Sequence, residues 1–234
     1  MKKWIKRLVY FMIVCIFSTC FYFAISGYLM YSNALREMSL SDKVAEIRSR
    51  DTYTTLEELP EIYLRAVIAV EDHRFYRHKG IDIIAIGRAL WTDIKAMSFV
   101  EGGSTITQQL AKNMYFTQDK DIRRKVAEMF MAFHIEKNFD KDDILELYVN
   151  TIYFGNGYYC VRDASLGYFG KLPKDMTDYE STLLAGIPNA PSIYALTNNP
   201  ELANERQQQV LKKMINHGQL TEEEAEKIRN TIEN

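Results

Sequence analysis

Three stretches hold residues whose types and spacing could do chemistry. In the first, Leu64 to Gly80, LRAVIAVEDHRFYRHKG, Leu64, Val67, Ile68 and Glu71 fall at i, i+3, i+4 and i+7. A carboxylate thus takes the next place on the apolar stripe of a helix. A carboxyl half-removed from water at a helix end has its neutral form favoured, which suits a general base. Taken alone, Glu71 is better read as a rim glutamate satisfied by Arg65, Arg74 or water. The second stretch is Gly102 to Asn113, GGSTITQQLAKN. Its glycines allow a tight turn, and Thr105 with Gln108 has capping-box spacing, so a helix is predicted to begin at Ser104 or Thr105 with free N–H groups facing an anion. Gln109 and Lys112 add a neutral donor and a positive charge suited to phosphate oxygens. The plain alternative is a well-capped helix, since no G-x-x-x-x-G-K-[ST] pattern is present. In the third, Arg124 and Lys125 stand four and three residues before Glu128, on one helix face. By itself that is a surface ion-pair ladder.

Other elements must position these groups. Thr55, Glu58 and Pro60 are start signals for the helix carrying Glu71, and Asp82 to Trp91 continues as a helical run with Ile83, Ile84, Ile86 and Leu90 apolar. Asp121 to Phe139 reads as a helix capped by Asp121, with Ile122, Val126, Met129, Phe130 and Phe133 as its apolar stripe. Asp140 to Asn150 adds a helix with acids at its start. Pro200 to His217 and Thr221 to Thr231 read as two helices joined at His217-Gly218. Strand-like alternation is scarce, so the fold expected is mostly α.

Composition narrows the function. A net charge of −2 gives no sign of a nucleic-acid partner. Leu8 to Leu35 contains no charged residue and exceeds the ~20 residues a membrane-spanning helix needs. It is longer than a signal-peptide core and lacks an A-x-A site. Lys2, Lys3, Lys6 and Arg7 precede it, which places the N-terminus in the cytoplasm and the domain outside. The chain divides into a basic tail at 1–7, a transmembrane anchor at 8–35, a juxtamembrane connector at 36–55 and a catalytic domain at 56–234. Cys15 and Cys20 lie in the span, so Cys160 is the domain's one thiol and reads as a small packing residue. His73, His78, His134 and His217 lack zinc-site spacing.

EDHRFYRHKG resembles the first motif, E-D-x-x-F-x-x-H-x-G, and GGSTITQQLAKN the second, of the peptidoglycan glycosyltransferases that polymerise lipid II. The R-K-x-x-E of Arg124 to Glu128 matches the third, and LLAGIPNAPSIY, Leu183 to Tyr194, the fifth. The fourth, Ile152 to Lys171, departs from the family: Cys160, Arg162, Asp163 and Ala164 stand where relatives commonly carry Gly-x-x-Ala-Ala. No S-x-x-K or K-T-G is present, so the resemblance is to the monofunctional branch.

The resemblance implies a lysozyme-like domain on one membrane anchor, in the membrane of a bacterium, with Glu71 and Glu128 as active-site carboxylates. It implies that Asp72, Phe75, His78, Ser104, Thr105, Gln109 and Asn113 line the groove, and that 96–101 belong to a membrane-facing jaw. The helix N-terminus after Gly103, with Lys112, Lys120, Arg124 and Lys125, would steady the diphosphate of the leaving lipid; relatives usually have Arg where Lys120 stands. Glu128 either positions those cations or holds a divalent cation such as Mg or Mn; no organic cofactor is expected. Partners implied are lipid II, the growing lipid-linked glycan, the membrane and other cell-wall synthesis proteins. Two alternatives stand beside this: a membrane-anchored muramidase, and a non-catalytic cell-wall scaffold.

Overall fold

The computed structural model describes residues 2–96, 102–117, 119 and 121–230. The membrane-facing stretch expected from Met97 to Glu101, and Lys120, lie outside the described residues. Among the described residues there are twelve α-helices and short 3₁₀ turns, and no strand. The expectation of a mostly α chain holds.

The apolar N-terminal segment forms α1, Lys2–Glu37, long and apolar enough to cross a membrane. The stretch expected as a connector folds as α2, Leu40–Arg48, capped by Ser39, with Leu40, Val44 and Ile47 in the core. Thr55 and Glu58 cap only a 3₁₀ turn at 56–58. The next helix, α3, Glu61–Glu71, starts afresh behind Pro60.

Within α3 the buried residues are Tyr63, Ala66, Val67, Ala69 and Val70, whereas Leu64, Ile68 and Glu71 are half-buried. The expected stripe is therefore the rim of the helix and not its core face. The physical reason is that the small alanines, interleaved with Tyr63, Val67 and Val70, let α9 and α11 pack closely on the other side. Asp82 caps α4, Ile83–Ala96, by accepting the N–H groups of Ile84 and Ala85. Then come α5, Ile106–Tyr115, α6, Ile122–Asn138, and α7, Lys141–Val149.

The stripe expected for α6 also needs correction. Its buried residues are Ala127, Glu128, Met131, Ala132 and Ile135, while Ile122 and Phe133 are exposed. The helix has two apolar faces. Ala127, Met131, Ala132 and Ile135 turn into the domain, and Val126 and Phe130 meet α1.

Beyond these, α8, Val161–Phe169, is capped by the Cys160 sulfur, which accepts the Asp163 N–H at 3.4 Å. The thiol thus caps a helix as well as packing. The remaining helices are α9, Asp178–Gly186, α10, Pro191–Tyr194, α11, Pro200–Asn216, and α12, Glu222–Asn230. One apolar core runs through α2, α3, α5, α6, α7, α9, α11 and α12.

Candidate active site

Glu71 and Asp72 are adjacent in sequence and serve opposite ends. Glu71, the last residue of α3, accepts Gln109 Nε2–H on Oε2 at 2.7 Å; its Oε1 is buried and has no partner among the described residues. Asp72 is buried and accepts His78 Nε2 at 2.8 Å and the Ile106 N–H at 3.1 Å. A chain leaving a helix end sends successive side chains to different sides, so one carboxylate meets Gln109 and its neighbour becomes a clamp.

That clamp overturns part of the expected anion cradle. The first turn of α5 is already answered within the chain: Asp72 takes the Ile106 N–H, and Thr105 Oγ1 takes the Gln108 N–H at 3.1 Å. Gln108 Oε1 returns the bond to the Thr105 N–H, completing the capping box. The anion that sits at this helix N-terminus is Asp72 itself. Thr105 also donates to the Gly80 carbonyl at 2.6 Å; Gly80 has φ +86°, the left-handed region that glycine adopts freely.

Phe75 and Thr105, expected to line the groove, are sealed from solvent. Phe75 lies against Tyr76 and His78, with the Lys141 ammonium 4.3 Å from its ring centre. Asp72 and His78 are likewise frame, their shared hydrogen bond buried. These residues hold the groove in shape without presenting a surface to it. His78 Nδ1 has no partner among the described residues.

Gln109 is oriented from behind. Tyr148 O–H donates to Gln109 Oε1 at 3.4 Å, leaving the amide N–H₂ toward Glu71. Burial pushes the Tyr148 phenol well above its ordinary value, with Glu71, Tyr63 and Asp72 acting in the same direction, so it remains a donor. Nothing in the sequence singled out Tyr148, because a phenol in a scaffold helix gives no signal until α7 is seen to pass behind α5.

Glu128 is 1% exposed, and both its oxygens are taken. Arg124 Nη1 donates to Oε1, and Lys125 Nζ to Oε2 at 3.0 Å. Lys125 also reaches Ser104 Oγ at 2.6 Å, tying the loop before α5 to α6, and Arg124 Nε donates to the Asp119 carbonyl. This arrangement is that of the first role expected of Glu128, holding cations; a divalent cation bound there would displace Arg124 and Lys125 from the carboxylate.

Lys112 feels the charge of both carboxylates. It is half-buried, and its ammonium makes no hydrogen bond or ion pair among the described residues. Loss of water lowers the ammonium's ordinary value; Arg124 and Lys125 lower it further, against Glu128 and Glu71 which raise it. The Asn113 side chain, on a half-buried residue, also makes no hydrogen bond among the described residues, and Gly103 lies over α4, where an added Cβ would meet Ala89 at 3.5 Å. A cavity of ≈ 550 Å³ follows the half-buried face of α3 past Ile68 and Leu64, bounded by His73, Arg77 and Leu145; Glu71 and Gln109 do not line it.

Residues 39–215 match the transglycosylase family. The chain is 44% identical over 185 residues to penicillin-binding protein 1F of Bacillus subtilis, an overlap covering 79% of this chain and 26% of that protein. To penicillin-binding protein 1A of Aquifex aeolicus it is 44% identical over 174 residues, 74% of this chain and 24% of the relative. To penicillin-binding protein 1A of Vibrio cholerae the figures are 39% over 239 residues, 95% and 29%. The chain spans about a quarter of the length of these relatives.

Proposed function

The chain belongs to the transglycosylase family, the peptidoglycan glycosyltransferases, and we propose that it polymerises lipid II into β-1,4-linked glycan with release of undecaprenyl diphosphate. The observation that carries the mechanism is the state of Glu71. A buried carboxylate oxygen without a donor is costly, and an incoming hydroxyl answers it. Glu71 Oε1 takes the proton of the acceptor GlcNAc 4-hydroxyl while that oxygen attacks the anomeric carbon of the lipid-linked glycan. The new C–O bond forms on the face opposite the leaving diphosphate, whose own bond to the sugar breaks, so configuration inverts.

The departing diphosphate carries the charge that must be stabilised. Arg124 and Lys125 are held by Glu128 before substrate arrives, and Lys112, partly stripped of water, makes no ion pair among the described residues. A muramidase would need a protonated carboxyl for a sugar leaving group and has no use for such a cluster. The membrane supplies both lipid-linked substrates, and the four basic residues before Leu8 support a catalytic domain on the outer side.

Purified full-length chain in lipid vesicles, given lipid II, should yield β-1,4 glycan and free undecaprenyl diphosphate. Glycan cleavage without synthesis would establish the muramidase, and binding without turnover the scaffold. Protease added to intact spheroplasts should trim the domain; cleavage only after lysis would reverse the topology.

A further inference from the structure

The apolar helix is longer than a membrane requires. At 36 residues α1 measures about 54 Å, against about 30 Å for the hydrocarbon core of a bilayer. Its burial pattern divides it accordingly. Every described side chain from Trp4 to Tyr22 is exposed; partial burial begins at Phe23, and Gly27 is buried. The outer part lies against α6, the helix that bears Arg124, Lys125 and Glu128.

Gly27 is the tightest point of this contact. A Cβ built there would lie 2.6 Å from both Cβ and Cγ1 of Val126 and 3.1 Å from the Ala127 backbone nitrogen. Val126 Cβ is fixed to its backbone, so no rotamer relieves the clash; the helices would have to separate. Small residues in a membrane helix are what allow backbones to approach this closely. Further out, Tyr28 and Tyr31 pack around Phe130 at ring separations of 5.5 and 6.0 Å, and Tyr31 O–H bonds to His134 Nδ1 at 3.1 Å. Val126 stands between Lys125 and Ala127, two residues before Glu128. Its side chain meets α1 while Glu128 points into the domain on the other side of the same helix.

We propose that the outer third of α1 is a working part of the catalytic domain, with Gly27 as the positioning residue that seats α6 and so fixes the height of Arg124, Lys125 and Glu128 above the bilayer. The inference rests on the cation cluster handling a lipid diphosphate, as proposed above. A diphosphate on a polyprenyl tail is held at the membrane surface, so the cations that receive it must be held at a set depth too. A segment that merely tethered the domain would need no notch.

The test uses the full-length chain in lipid vesicles, with Gly27→Ala, Val126→Gly and their combination, and Ala24→Val as a control that adds bulk at an exposed position of α1. Hydrogen exchange across 122–132 reads the seat without any substrate. Gly27→Ala should speed exchange there, raise the KM for lipid II and weaken binding of undecaprenyl diphosphate, each by roughly 10-fold or more, the scale set by misplacement of about an ångström. The double variant, which gives back the space, should return all three to within about 3-fold, and Ala24→Val should change none. Misfolding alone would lower the active fraction at unchanged KM. Unchanged exchange in Gly27→Ala, or no repair in the folded double variant, would overturn the proposal. Altered exchange together with a wild type that neither binds undecaprenyl diphosphate nor polymerises would leave the seat standing and overturn the functional reading.

Discussion

Glu71 and Glu128 are the same side chain in two different states. Glu128 is spent: it is fully buried, and a guanidinium and an ammonium occupy its oxygens. Glu71 is half engaged, with one oxygen held by a neutral amide and the other buried without a donor among the described residues. A carboxylate paired with two cations is a poor base, whereas one steadied by an amide keeps a lone pair for a proton. The lesson is that the carboxylate most deeply buried in this site anchors charge, and the half-buried one is the one proposed as base.

The contrast between the two carboxylates is broken most directly at Glu71. Glu71→Gln keeps shape and the Gln109 contact but removes the base, so polymerisation should fall 10²- to 10⁴-fold while undecaprenyl diphosphate binding survives. Near wild-type synthesis by the folded variant would rule out Glu71 as the base. Glu128→Gln should act differently, releasing Arg124 and Lys125 from their anchor. A loss of about 10²-fold is expected, accompanied by weaker diphosphate binding and a lower melting temperature. That loss should not track magnesium or manganese concentration, because the two oxygens already serve cations of the chain.

Smaller effects sharpen the contrast. Gln109→Leu removes the donor that steadies Glu71 and should cost roughly 10- to 100-fold in kcat with little change in KM; Tyr148→Phe, which only loosens Gln109, should cost about 2- to 5-fold. An effect of Tyr148→Phe as large as that of Gln109→Leu would mean that the phenol contacts substrate itself.

The smallest effect lies next to Glu71. His73 stacks on His217 with ring centres 4.1 Å apart, and Arg88 approaches His73 at 3.4 Å. Burial lowers both imidazoles below their ordinary 6.5, with His217 and Arg88 adding to this at His73, and Arg88 and Lys213 at His217. A base lowered by folding binds fewer protons in the native than in the unfolded chain. Its contribution is therefore complete above about 6.5 and is lost as pH falls through the lowered values. Melting temperature should drop between about pH 7 and 5, and replacing both histidines by Gln should flatten that slope. An unchanged slope would place the effect elsewhere.

Local chemistry set much of this protein before any folding. The capping box at Thr105 and Gln108, the caps at Asp121 and Thr221, the apolar anchor and the pairing of Arg124 and Lys125 with Glu128 all act over four residues or fewer, or by composition alone, and the structure keeps them. What required the tertiary structure was direction. A 3.6-residue period says that Leu64, Ile68 and Glu71 share a face, and likewise Ile122, Val126 and Phe130, but not what that face meets. Only the packing of α9 and α11 against the alanine side of α3 made the first stripe a groove rim. Only the length of α1 and the missing side chain at Gly27 turned part of the second toward that apolar helix. The same holds for Asp72, Phe75 and Tyr148: their types fit a substrate groove or a plain scaffold equally well. Long-range contacts, which no local spacing encodes, placed Asp72 on the N-terminus of α5, Phe75 in the core and Tyr148 behind Gln109.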